Sequence, residues 1–167
     1  MKKAVVAVEN HSMYKDPFAL FGMPITIFIH EATLNERYQE MMQDLHPDQF
    51  SGEDAFMKKS AEQIAAYANN AYHILRSPLK CADAAIEAKG WQLPTEQTTA
   101  DPILLMEMME LQDMARNGAD LRPFYQDALV QFESALQENT QVKTLAAYSR
   151  LKFLARLLGN DDAAPNY

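Results

Sequence analysis

The stretch that decides the fold covers residues 34–50 and reads LNERYQEMMQDLHPDQF. Its first part has apolar side chains at the spacing of a helix with one buried face: Leu34, Tyr38, Met41, Met42 and Leu45. Because proline disfavours the α conformation in the residue before it, Pro47 predicts that this helix ends near Leu45. We therefore expect His46 and Asp48 to lie on an exposed turn.

Helical patterns extend from this turn in both directions. Upstream, Phe18 to Pro24 is a compact apolar block that predicts one short helical turn. Six longer helices are expected over residues 31–45, 54–76, 79–89, 102–117, 121–138 and 141–158. Prolines and glycines fall at their ends, as at Ser77-Pro78 and Gly90. Because glycine is otherwise scarce and good helix formers dominate, the sequence predicts an all-α fold.

The helices are expected to form two domains. Residues 16–91 would hold the helical hairpin around the turn together with two short helices, and residues 102–160 would form a small three-helix bundle. Residues 92–101 carry a proline and three threonines with weak apolar periodicity, so they are interpreted as a linker. Residues 1–15 are expected to be a disordered N-terminal extension, and residues 161–167 a tail.

Charge and cysteine content exclude several classes of function. Lys and Arg total 15 against 23 Asp and Glu, a net charge of −8, which argues against nucleic acid as the main partner. The single cysteine, Cys81, excludes a disulfide within the chain and any multi-cysteine metal site, and we expect no cofactor. We expect its side chain to be buried or half-buried. The N-terminus lacks a secretory pattern, and no segment has the about eighteen apolar residues of a membrane span, so a cytoplasmic protein is predicted.

The helix expected over residues 102–117 has apolar residues on two sides. One stripe suits packing into the bundle: Leu104, Met108, Leu111 and Ala115. The other side carries an apolar group edged with carboxylates: Leu105, Met106, Met109, Glu110 and Asp113. In the last helix, Phe153 likewise lies opposite the stripe expected to be buried. This pattern indicates a binding patch; the alternative is that these side chains pack against each other or against the first domain.

Five segments together resemble the HscB-type J-proteins, a family of co-chaperones. They are residues 20–24 (LFGMP), 46–50 (HPDQF), 70–79 (NAYHILRSPL), 105–111 (LMEMMEL) and 151–154 (LKFL). The resemblance covers nearly the whole chain, from Pro17 to Leu158. It implies an N-terminal J-domain, a C-terminal bundle and a non-enzymatic role in iron–sulfur cluster assembly. The partners it implies are a DnaK-like chaperone, HscA, whose ATPase is stimulated, and the scaffold protein IscU.

The resemblance also implies two sets of site residues. The chaperone is expected to bind the turn and its supporting residues: His46, Pro47, Asp48, Arg37, Gln49 and Phe50. The scaffold is expected to bind the helical patch: Leu105, Met106, Met109, Glu110, Asp113 and Phe153. No catalytic or metal-binding residue is implied.

The charge of the second helix departs from the family pattern, which has a basic second helix and a lysine after the tripeptide. Here four acids stand against one base: Glu31, Glu36, Glu40 and Asp44 against Arg37. Gln49 occupies the lysine position, so electrostatic steering is expected to be weak. A second hypothesis is therefore a helical adaptor that binds the scaffold without stimulating ATP turnover. A third, a metal-dependent hydrolase using His46 and Asp48, lacks further ligands at suitable positions.

Overall fold

The structure, a computed structural model, describes residues 16–52, 54–94 and 102–159. These ranges contain seven α-helices: α1 Pro17–Leu20, α2 Glu31–Asp44, α3 Ala55–Arg76, α4 Pro78–Ala88, α5 Pro102–Arg116, α6 Arg122–Gln137 and α7 Gln141–Leu157. A short 3-10 helix, Pro47–Phe50, joins α2 to α3, and the described ranges contain no strand. The predicted all-α fold class is confirmed.

The bounds of the six longer helices lie within one residue of the predicted ones. Local signals account for this agreement. Ser77 is extended (φ −103°, ψ 118°) before Pro78, and Gly90 has a φ of +74° just beyond the end of α4. The predicted N-terminal extension, most of the linker and the tail lie outside the described residues.

The described chain divides into two compact units. The first comprises residues 16–25 and Ile29–Arg76, and the second comprises Thr26–Phe28 and residues 77–159. This division places α4 with the C-terminal helices, whereas the sequence pattern grouped it with residues 16–91. The physical reason is that α4 packs against α7 and buries Cys81 and Ile86 completely. The predicted domain limits themselves stay a prediction.

The first unit is a hairpin of α2 and α3, with α1 packed on α3. One face of α3 is lined by mostly small buried side chains: Ala61, Ile64, Ala68, Ala71 and Leu75. Phe18, Phe21 and Leu34 are buried in the same unit. The rings of Tyr38 on α2 and Tyr72 on α3 stack with their centroids 4.4 Å apart. Packing along the two helices therefore supports the turn that joins them.

In the second unit α7 is the central helix, because it packs against α4, α5 and α6. Its buried side chains are Thr144, Tyr148, Leu151, Leu154 and Ala155. The segment Thr26–Phe28 joins this unit through Glu133 on α6, whose carboxylate accepts hydrogen bonds from the Thr26 hydroxyl at 2.8 Å and the Ile27 amide at 2.9 Å. Because α5 packs on α7, the opposite side of α5 remains at the surface of this unit.

Candidate functional site

The turn between α2 and α3 exposes His46, Pro47 and Asp48. His46 has an extended backbone (φ −61°, ψ 136°), as expected before proline, and caps the 3-10 helix. Its Nδ1 accepts a hydrogen bond from the Asp48 amide at 3.3 Å and lies 3.6 Å from Asp48 Oδ2. A neutral imidazole whose Nδ1 accepts carries its proton on Nε2. With the two side chains 60% and 91% exposed, the turn offers a donor and a carboxylate to a partner.

Phe50 fastens this turn to the core of the hairpin. Its side chain is 8% exposed and belongs to a buried cluster with Leu45 and Ile64. The amide of Gln49 donates to the carbonyl of His46 at 2.9 Å, which closes the turn. Phe50 therefore supports the turn from inside the unit, whereas Gln49 is exposed.

Arg37 forms hydrogen bonds within the first unit. Its Nη1 donates to the carbonyls of Phe21 at 2.6 Å and Gly22 at 2.9 Å, just after α1. Gly22 has a φ of +58°, which favours glycine, and a Cβ atom there would lie 3.0 Å from the same Nη1, so the guanidinium would have to shift. Arg37 is the only basic residue in the sequence of α2. Its guanidinium thus holds the turn after α1 to α2, and the other charges of α2 are negative.

A shallow groove runs from the turn along α2. Its lining includes Tyr38, Met42, Gln43, His46, Asp48 and Gln49. The lining contains no lysine or arginine, and Asp48 is its one carboxylic acid. This surface therefore suits hydrogen bonding and apolar contact better than attraction of an acidic partner.

The outward side of α5 is an apolar face edged with carboxylates, which we call the α5 face and define by Leu105, Met106, Met109, Glu110 and Asp113. Met106 and Met109 lie one turn apart and are 65% and 67% exposed, and Leu105 is exposed beside them. Leu111, on the other side of the helix, is buried. The Arg116 guanidinium lies 3.3 Å from the exposed Asp113 carboxylate. These apolar side chains lie at the surface of the second unit and are not part of its core.

Phe153 on α7 is less accessible than the methionines of the α5 face. Its side chain is half-buried, and the guanidinium of Arg156 lies over the ring, 5.4 Å from its centroid. A partner that uses Phe153 therefore contacts a ring already covered in part by a cation.

Two residues that bear on the α5 face were missed by the sequence reasoning. Ile103 is 78% exposed and precedes Met106 by one turn, so it extends the apolar surface toward the start of α5. Its spacing from Met106 was a signal present in the sequence. Arg150 on α7 binds Glu107 at 2.7 Å and Asp127 at 3.4 Å, which ties α5 to α6 and α7. No sequence pattern marks this network, because its members are far apart along the chain.

Among the described residues, no three His, Cys, Asp or Glu side chains are grouped so that they could hold a metal ion. Cys81 is buried, as predicted, and its Sγ donates to the Thr26 carbonyl at 3.4 Å. Burial and, second, the negative charge of Glu133 raise the pKa of the Cys81 thiol, which keeps it protonated and unreactive. None of the described helices has the length and hydropathy needed to cross a membrane.

The chain is similar to curated proteins along most of its length. No family model matches it. It is 33% identical over 129 residues to the co-chaperone protein HscB homolog of Cupriavidus taiwanensis, an alignment that covers 77% of this chain and 70% of that protein. The chain belongs to the HscB family of co-chaperones. The HscB homolog of Vibrio campbellii is 28% identical over 155 residues, covering 84% of this chain and 91% of its own length.

Solved HscB structures share the fold. Chaperone HscB from Vibrio cholerae superimposes with a TM-score of 0.70 at 28% identity, covering 86% of this chain and 94% of that one. The crystal structure of human co-chaperone HscB gives a TM-score of 0.72 at 20% identity, over 86% of this chain and 79% of the human one, and supports the fold alone. The resemblance based on the five sequence segments is confirmed, and the protein is an HscB-type co-chaperone.

Proposed function

We propose that this HscB-type protein recruits an iron–sulfur scaffold protein of the IscU type to a DnaK-like chaperone of the HscA type in the cytoplasm, and stimulates the ATPase of that chaperone. The protein itself is not an enzyme in this proposal. The observation that carries it is the exposed apolar surface formed by Leu105, Met106 and Met109, in a chain that also exposes His46-Pro47-Asp48 on a supported turn.

The turn is the proposed contact for the chaperone. His46 offers its Nε2 proton, Asp48 offers its carboxylate, and Pro47 restricts the backbone between them. Gln49 lies in the adjoining groove, Phe50 anchors the turn in the core of the hairpin, and Arg37 holds the turn after α1 to α2. A co-chaperone shifts its partner only by binding one state of that partner more tightly than another. We therefore assign to the turn a preference for the state of the chaperone that hydrolyses ATP.

The α5 face is the proposed contact for the scaffold. Methionine side chains are flexible and polarizable, so they adapt to the surface of a partner. The carboxylates of Glu110 and Asp113 at the edge would orient a partner that carries basic groups. Ile103 would extend the apolar contact toward the start of α5, and the ring of Phe153 on α7 would add to it.

A second candidate function is a helical adaptor that binds the scaffold without stimulating ATP turnover. The charges of α2 favour this candidate. The only base of that helix, Arg37, donates hydrogen bonds to carbonyls after α1, and the other charged side chains of the helix are acidic. In this case the His46 turn would be retained without the surface that draws the chaperone to it.

One assay tests the proposal. Steady-state ATP turnover of a purified HscA-type chaperone is measured alone, with this protein, with an IscU-type scaffold, and with both. We expect turnover to rise with this protein and to rise further when the scaffold is added. Scaffold binding by calorimetry without any rise in turnover would favour the adaptor, and absence of scaffold binding by calorimetry would overturn both candidates.

A pair of variants separates the two contacts. Met109→Asp places a charge on the α5 face, and Val142→Asp places the same charge on an exposed apolar residue of α7 that lies outside the proposed contacts. We expect Met109→Asp to remove the additional stimulation by the scaffold. Equal losses in both variants would mean that added charge, and not the α5 face, causes the effect.

A further inference from the structure

The two methionines of the α5 face differ in accessibility from the others in the described chain. Met106 and Met109 are well exposed, whereas six others are only partly accessible: Met23, Met41, Met42, Met57, Met108 and Met114. Met108 and Met114 lie on α5 together with Met106 and Met109. The four methionines therefore share a helical backbone environment and differ in the accessibility of their side chains. Side-chain accessibility separates the two pairs, and an oxidant in solution reaches accessible sulfur first.

We propose that Met106 and Met109 are sites of oxidation by hydrogen peroxide, and that their conversion to methionine sulfoxide weakens docking of the scaffold on the α5 face. The oxidation sites follow from exposure, while the effect on docking rests on the proposed function. In each reaction the thioether sulfur forms a bond to one peroxide oxygen as the O–O bond breaks. The sulfur loses two electrons, and the other oxygen leaves with both peroxide protons as water.

The effect on docking follows from the composition of the face. Sulfoxide replaces a polarizable apolar group by a strong hydrogen-bond acceptor. Within the α5 face Leu105, Glu110 and Asp113 supply no N–H donor; the donors of the same helix, Gln112 and Arg116, lie beside it, and Arg116 is paired with Asp113 at 3.3 Å. A sulfoxide oxygen buried against an apolar partner surface, away from these donors, would lack a hydrogen bond. A loss of affinity of about tenfold or more is expected for such a buried, unsatisfied group.

The sites are tested on the full chain with a low dose of hydrogen peroxide followed by peptide mass mapping. We expect Met106 and Met109 to gain oxygen before Met108 and Met114. Oxidation of the latter pair first, or at the same rate, would overturn the assignment of the sites. Circular dichroism before and after treatment checks that the helices remain folded.

The docking effect is tested by calorimetric titration of an IscU-type scaffold into each protein before and after peroxide. The parent is expected to lose affinity about tenfold and to regain it after treatment with methionine sulfoxide reductases and dithiothreitol. Met106→Leu/Met109→Leu is expected to keep its own starting affinity after peroxide, whereas Met108→Leu/Met114→Leu stays sensitive. Equal sensitivity of the two double variants would overturn the docking effect.

Failure of the proposed function gives a different result. If the untreated parent did not bind the scaffold, the proposed docking role of the α5 face would be wrong, and so would the proposed effect of oxidation on docking. The peptide map would still decide whether Met106 and Met109 are the oxidation sites, because that measurement needs no partner.

Discussion

At the scale of the residue, the turn at His46 combines exposed functional groups with buried support. The imidazole and the Asp48 carboxylate are accessible, and the Asp48 amide donates to His46 Nδ1. Phe50, two residues beyond Asp48, is buried in the hairpin. The side chains proposed to face the chaperone therefore contribute little to the core, whereas the side chain that holds the turn lies inside it.

His46→Gln is expected to abolish stimulation of the chaperone ATPase while leaving the fold intact. Because the imidazole is exposed and the change removes one long cap bond of 3.3 Å, it should change the free energy of unfolding by about 1 kcal/mol or less. His30→Gln, an exposed histidine at the start of α2, is the matched control and should stimulate like the parent. Turnover assays and urea titration check both variants. Undiminished stimulation by His46→Gln would contradict the proposed role of the turn.

At the scale of the element, α5 shows how one helix serves two surfaces. Leu111 is buried against the rest of the second unit, and Met109, two residues earlier, is exposed. A shift of two residues rotates the side chain by about 200° around the helix, so the two belong to opposite faces. The pairing of Glu107 with Arg150 holds α5 in the orientation that exposes Met109.

Alanine substitutions on the two faces of α5 should therefore have opposite consequences. Met109→Ala is expected to weaken scaffold binding and to cost less than about 1.5 kcal/mol of stability, because the side chain is already in water. Leu111→Ala is expected to cost about 2 to 5 kcal/mol, as for a buried leucine. Urea titration and scaffold calorimetry measure both effects. A core-sized loss of stability in Met109→Ala would show that this residue packs in solution.

The acidic character of α2 leads to a prediction about association. Stimulation by the parent should change little between low and moderate salt, because α2 provides little attraction for screening to remove. Gln49→Lys combined with Glu40→Lys should raise the association rate with the chaperone by roughly two- to tenfold at low salt. Stopped-flow binding at several salt concentrations measures this. A steep salt dependence in the parent would point to another basic surface, and Lys58 and Lys59 on α3 would then be replaced.

At the scale of the whole molecule, stability depends on contacts that join helices distant in sequence. In the second unit, the Tyr148 hydroxyl on α7 faces the carboxylate of Asp83 on α4, whose buried Oδ1 has no hydrogen-bond partner among the described residues. Burial raises the pKa of Asp83, and the hydrogen bond from Tyr148 and the charge of Lys152 oppose the rise. The folded protein therefore holds the Asp83 proton more tightly than the unfolded chain does.

A raised carboxyl pKa makes this contribution to stability fall as pH rises from the ordinary carboxyl value through the raised one. Asp83→Asn removes the charge and keeps an acceptor for Tyr148. We expect this variant to exceed the parent in free energy of unfolding at pH 7, and the difference to shrink as pH falls toward the ordinary carboxyl pKa. Urea titrations at a series of pH values measure the difference. A variant less stable than the parent at pH 7 would show that the ionised carboxylate is a net stabiliser.

The helix bounds, the all-α class, the family and the two-sided pattern of α5 were determined by the sequence alone. These features depend on residues within a few positions of each other: proline and glycine end helices, and a period of about 3.6 residues separates their faces. The exposure of His46 and Asp48 followed from the same local rule, because Pro47 ends α2 wherever the rest of the chain goes.

Only the tertiary structure decided the burial of Phe50, the hydrogen bonds of Arg37, the place of α4 beside α7, and the pairing of Arg150 with Glu107. Arg37 is an ordinary helix-surface residue in the sequence, and its partners, Phe21 and Gly22, become neighbours only when α1 turns back toward α2. The physical reason is the range of the interactions. Backbone preferences act between adjacent residues, whereas packing and ion pairing join groups that the chain brings together only when it folds.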